Sequence, residues 1–283
     1  MAFYGDSRQE FCASANQACN NGVQLTMQSQ SEVRDSFKLL VFASLLTLAL
    51  WFIPFAGVIT YPIRLLVTFI HETGHALAAL LTFGGVNRVA LDWSGSGVTF
   101  TRGGWGFLIS SAGYLTTTLY GAGLLLLLRR QRNARVAAIG TGALLLLITA
   151  LFGGNIVAWL AGLVFGAGCL LLGLKGQPRL VHFCMSFLAV QCLLNAFYDL
   201  RTLLYLSAFD PAFPTDARNM SEATGGFLPP VVWAAGWALL STVVVVGTLV
   251  VYYRSLRERA SLPEAGLPTL IAGHSANAAH PHI

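Results

Sequence analysis

The sequence predicts an all-α polytopic membrane protein. It should have about six to seven transmembrane helices and a small β-hairpin after the helix that carries an HExxH pattern. Three observations predict this. First, only 10% of the 283 residues are charged and 55% are hydrophobic, whereas a soluble domain carries about 25% charged residues. Second, apolar runs fall at about 38–60, 62–83, 105–128, 136–153, 155–173, 181–206 and 229–253. Most approach the roughly 20 residues that span a bilayer as a helix. These are seven candidate spans, or six if 136–173 is partly re-entrant. Third, the helical pattern is broken once, by a short stretch of period two.

Taken in order, residues 1–36 form a polar arm rich in Ser, Gln and Asn with no early apolar core. No cleavable signal peptide is expected there, and the first apolar run is expected to act as an uncleaved insertion signal. Residues 37–255 form the membrane domain, and 256–283 an Ala-, Pro- and His-containing tail that reads as disordered. Trp51, Trp105, Trp159, Trp233 and Trp237 read as interfacial anchors, some of them facing other helices. In "NRVALDWSGSGVTFTR" (87–102), Val89, Leu91 and Trp93 alternate with Arg88, Ala90 and Asp92, then SGSG supplies a turn. That is strand, turn, strand, with a plain loop as the alternative. Residues 207–228 read as a polar connection between the last two spans.

Five cysteines are too few for a disulfide scaffold. Cys169, Cys184 and Cys192 lie in apolar segments and read as packing residues; Cys12 and Cys19 sit in the arm, where pairing depends on the compartment. The net charge of +5 is not a nucleic-acid signature, because the basic residues cluster beside apolar runs. Under seven spans, Arg129, Arg130, Arg132, Arg135, Lys175, Arg179, Arg254, Arg257 and Arg259 share one side. Arg34, Lys38, Arg88, Arg102 and Arg218 take the other. The positive-inside rule then puts the C-terminus in the cytoplasm, and the cell membrane is the expected location.

Ionisable groups deep in apolar runs are few: His71, Glu72, His75 and Asp199, with Arg64 and Arg201 nearer helix ends. Charges at membrane depth are costly and default to a functional reading. In "HETGH", His71 and His75 are four apart and share a helix face. Two imidazoles at that spacing can bind one zinc ion, and Glu72 can serve as general base toward its water. Thr68 extends the polar stripe, and Gly74 allows close helix packing. Zinc needs a third protein ligand, and Asp199 is the remaining buried acid. A salt bridge to Arg201 is the plainer reading of Asp199, though residues two apart on a helix face each other poorly. Asn195 lies one turn before Asp199 and could donate to a developing oxyanion, or simply join helices. Asp92 and His182, at segment edges, read as interfacial polar residues.

At these residues the chain resembles the site-2-protease class of intramembrane zinc metalloproteases, most closely its M50B-like branch. The resemblance is carried by "FIHETGHALAALLTFGGVNRV", "SGSGVTF", "SSAGYLTTTLYGA", "NAFYD" and "TDARNMSEATGGFLPPVVWAAGW", over most of residues 65–240. It implies Zn2+ held by His71, His75 and Asp199, with Glu72 as base. The implied substrate is a membrane-spanning or membrane-adjacent segment of another protein, cut by hydrolysis in or near the bilayer. The hairpin resembles the sheet beside the active site in that class, where it could take an unwound substrate as an added strand. Two other readings stand beside the protease: a catalytically inactive scaffold or chaperone that keeps the metal site, and a proton or metal transporter.

Overall fold

The computed structural model describes residues 56–260, together with positions 17, 38, 41, 42, 45 and 49. The N-terminal arm, Cys12, Cys19, Trp51 and the tail beyond 260 lie outside the described residues. The chain is mostly helical: α1 (Ala56–Leu81), β1 (Gly85–Leu91), β2 (Gly97–Arg102), α2 (Gly106–Leu127), α3 (Asn133–Phe152), α4 (Ile156–Lys175), α5 (Pro178–Phe209), α6 (Asp216–Ala223) and α7 (Pro230–Ala260). Among the described residues, α3, α4, α5 and residues 230–255 of α7 are long and apolar enough to cross a membrane. The protein is an integral membrane protein. The interval 136–173 falls in two helices, α3 and α4.

Two boundaries differ from the sequence expectation. α1 runs through Pro62 instead of breaking there. That proline lies in the second turn, where only one intrahelical donor is lost. α7 continues to Ala260, five residues past the expected end of the membrane domain. α1 itself ends in a left-handed residue, Phe83 (φ 59°), and the Gly84 amide donates to the Ala79 carbonyl at 2.8 Å. That is the six-to-one bond of a Schellman stop, usually built on glycine.

Small residues set the helix packing. A methyl on Gly74 of α1 would sit 2.7 Å from Thr116 and 2.9 Å from the Ala112 carbonyl of α2. Gly142 and Gly166 bring α3 against α4, and Gly121 brings α2 against Leu193 and Ala189 of α5. Helices in lipid gain association from such close backbone approach, since burial in another apolar medium supplies little. Hydroxyl pairs add to it: Thr118 donates to Ser241 of α7 at 3.1 Å, and Tyr120 and Thr141 lie 2.5 Å apart.

The hairpin forms as expected, antiparallel from Leu91↔Gly97 to Gly85↔Arg102, with an irregularity between Val86 and Arg88. Its turn is closed by the Asp92 amide on the Ser96 carbonyl at 2.8 Å and by the Ser94 amide on the Asp92 carboxylate at 2.8 Å. Val89 and Leu91 are buried. In β2 the threonines Thr99 and Thr101 turn inward, and Val98 and Phe100 are exposed. The outer edge of β1 is covered: the Gly154 amide donates to Val89 O at 2.8 Å. Asn155 accepts from the Leu91 amide at 3.3 Å and donates to the Leu91 carbonyl at 2.7 Å. The same Asn155 oxygen accepts from the Ala158 amide and caps α4. Arg64 and Thr68 of α1 donate to the Ser94 and Gly95 carbonyls, each at 2.9 Å, and pin the hairpin tip over that helix.

Candidate metal and catalytic site

The polar stripe of α1 opens on a cleft of about 840 Å³ lined by Thr68, His71, Glu72, His75, residues 94–99 of the hairpin, Tyr114, Asp199 and Asp216. His71 Nε2 and His75 Nε2 are 3.1 Å apart. Asp216 Oδ2 completes a triangle, 3.3 Å from the first and 3.4 Å from the second. A tetrahedral zinc site with bonds of about 2.0–2.1 Å has ligand-to-ligand edges of roughly 3.3 Å. Two imidazole nitrogens and one carboxylate oxygen, on edges of that length, fit the metal. His75 Nδ1 lies 2.6 Å from the Ile109 carbonyl. Only a protonated Nδ1 can serve that acceptor, so the neutral ring turns the Nε2 lone pair toward the triangle. Gly113 of α2 passes so close that an added methyl would overlap His71 Nε2 and His75 Nε2.

Glu72 is buried, and its Oε2 accepts from Thr99 Oγ1 at 2.7 Å; the same hydroxyl reaches the Glu72 carbonyl at 3.0 Å. Gly97 leaves room for it, since a methyl there would meet Glu72 Cγ at 2.7 Å. The inward face of β2 therefore holds the acid beside the histidines.

Asp216 is the first residue of α6, whose N-cap Thr215 accepts from the Arg218 amide. Arg218 ties the turn together through Glu222 and the Ala212 carbonyl. Ala217 and Met220 are fully buried among Leu200, Leu203, Ala234 and Trp237. That apolar wedge sets the carboxylate against the imidazoles. Burial alone would raise its pKa; when both ring nitrogens of His75 carry protons, the charge of that ring, with hydrogen bonds from His71 and His75, outweighs burial and holds the carboxyl well below the usual carboxylate range.

The structure brings together His71, Glu72 and His75 as the spacing predicts. Asp216, not Asp199, has its carboxylate beside the two imidazoles. The donor atoms lying within 4.8 Å of one another are those of His71, His75 and Asp216, and Asp199 is outside that set. Asp199 lines the same cleft from α5 and makes no ion pair with Arg201 among the described residues. Asn195 does not line the cleft; its amide donates to the Gln191 carbonyl of its own helix at 2.9 Å. His182 is buried within the protein, with Nε2 on the Leu128 carbonyl at 2.8 Å. Asp216, Thr99 and Tyr114, which line the same cleft, were not singled out in the sequence. Asp216 did carry a signal, an acid directly after a capping threonine at a helix start, but it sits in a stretch that reads as a connection.

No curated protein and no solved structure matches the chain. The Peptidase M50B-like family model matches residues 41–248, an interval that holds all of the metal triangle, Glu72 and the hairpin. The chain belongs to the Peptidase M50B-like family, a family of membrane metalloproteases.

Proposed function

We propose that the chain is an intramembrane zinc endopeptidase that hydrolyses peptide bonds of membrane-spanning or membrane-adjacent segments of other proteins. The observation that carries this reading is the triangle of His71, His75 and Asp216 with Glu72 beside it. Zinc held by those three residues would supply a Lewis acid and an acidified water. Glu72 takes a proton from the attacking water and passes it to the leaving amine. Thr99 holds one carboxylate oxygen of Glu72, so the proton moves through the other. The polar wall of the cleft admits the water that hydrocarbon excludes. Residues 95–99 of the hairpin line that cleft, and an unwound substrate could add to β2 as a strand. Asp216 replaces Asp199 as the third ligand in this reading, and Asp199 remains a second acid on the wall.

The same reading counts α1, α2 and the run beginning at 38 as further spans, seven in all. It puts the protein in the cell membrane with the C-terminus in the cytoplasm. The test is zinc content per chain in detergent-purified wild type, Asp216→Asn and Asp199→Asn, followed by proteolysis with Glu72→Gln. About one zinc in wild type and Asp199→Asn, and at least a tenfold weaker hold in Asp216→Asn, is the expected result. Retention of full zinc by Asp216→Asn would remove the triangle. Wild-type cleavage by Glu72→Gln would remove the base.

A further inference from the structure

Peptide hydrolysis through a water nucleophile builds negative charge on the scissile carbonyl oxygen, and a preorganised donor aimed there is among the largest catalytic effects. Asn195, the donor expected from the sequence, does not line the cleft. Tyr114 does. It follows Gly113 on α2, so it comes from the turn that passes beneath both imidazoles. Its ring meets His71 edge-on, with centroids 4.7 Å apart at 84°, and stacks on Trp237 at 5.9 Å and 27°. Trp237 is itself buried in the wedge that holds α6. The phenol ring is thus fixed on two sides.

Its hydroxyl has no hydrogen-bond partner among the described residues. It is also not sealed in protein, in contrast to the Tyr61 hydroxyl and the Trp233 indole nitrogen, which are buried without partners. Asp216, Asp199 and Glu72 line the same cleft. A hydroxyl donor that shares a cleft with three carboxylates, yet is bonded to none of them, is free for another acceptor.

We infer that Tyr114 is a catalytic residue of the proposed peptidase, and that its hydroxyl donates a hydrogen bond to the scissile carbonyl oxygen as charge develops there. The inference rests on the protease reading. In the step, the water oxygen forms the new C–O bond and the C–N bond breaks. One water proton travels by Glu72 to the departing nitrogen, and the other stays with the new carboxyl group. Tyr114 keeps its proton throughout and contributes only the hydrogen bond.

The experiment uses the full chain in detergent micelles, loaded with zinc, as wild type and Tyr114→Phe. The probe is a short apolar phosphinic pseudopeptide, whose tetrahedral phosphorus mimics the attacked carbon, compared with its peptide parent. Phenylalanine keeps both ring contacts, so zinc content and affinity for the parent peptide stay at wild-type values. Phosphinate affinity and kcat should both fall by about 100-fold with KM unchanged, the size expected for one lost donor. Wild-type phosphinate affinity and kcat in Tyr114→Phe would overturn the inference. So would loss of zinc in that variant, which would make the hydroxyl a support for His71. A wild type that neither cleaves the parent nor prefers the phosphinate would overturn the protease reading and this inference with it, and that result is distinct from a failure confined to Tyr114→Phe. Tyr114→Leu, which removes the ring, should weaken zinc retention as well and so separates the ring from its hydroxyl.

Discussion

The triangle of His71, His75 and Asp216 joins two regions held by different forces. The α1 half, with His71, Glu72 and His75, is clamped by backbone: Gly74 against α2, Gly113 beneath the imidazoles, and the hairpin pinned by Arg64 and Thr68. The α6 half, with Asp216, is an eight-residue helix whose position depends on two buried side chains, Ala217 and Met220. Eight residues are too few to be a stable helix on their own. One half is therefore rigid by construction, and the other is held by its neighbours.

The largest effect should come from crowding the rigid half. Gly113→Val puts a carbon atom against both imidazole nitrogens, so the two rings must swing out of the triangle. Zinc binding should be lost entirely, read as metal per chain, in a protein that still extracts and migrates as wild type; retained zinc would mean that α2 can move away. Next comes the dependent half. Met220→Ala leaves a cavity beneath α6 and should cost about 2–5 kcal/mol. Thermal unfolding should shift down and zinc should be held more weakly, while cysteine accessibility at Cys192 on α5 stays unchanged. An unchanged melting curve would show that α6 is held by something other than its wedge. Thr99→Val removes one hydrogen bond to a charged carboxylate, worth about 1.5–3 kcal/mol. A tenfold or greater drop in kcat with full zinc content is expected, and loss of zinc instead would assign Thr99 to the metal. The smallest effect should be Asn155→Ala, which uncaps α4 and bares the Leu91 edge at a cost of about 1–2 kcal/mol, with no change in zinc content.

The same contrast governs how much of the site is legible in the sequence. The α1 half is legible because two histidines four apart in an apolar run are costly to insert unless something binds them, and because the hairpin follows in strict alternation. The proposed third ligand, Asp216, is not. Insertion cost draws attention to acids inside apolar runs, and that criterion selects Asp199. Asp216 lies in a polar loop, where an acid carries no penalty and draws no notice. Its role depends on α6 folding back between α5 and α7, a tertiary fact with no local periodicity. Thr99 is invisible for a related reason. In β2 the small polar residues face inward and Val98 and Phe100 face outward, the reverse of a hairpin on an aqueous surface. Asn195 shares a helix face with Asp199 only approximately, and its amide is taken by the backbone one turn earlier, the usual competitor for such side chains.

Gly113 has a consequence for how chains of this family are told apart. A motif search asks whether the histidines and the glutamate are present, and it is satisfied by the α1 half alone. The bare backbone of α2 is equally necessary, since any larger residue there fills the space between the two nitrogens. A sequence can thus keep HETGH unaltered while a single methyl on the next helix crowds both imidazoles. In M50B-like chains of uncertain activity, the residue aligned with Gly113 is the one to inspect alongside the ligands.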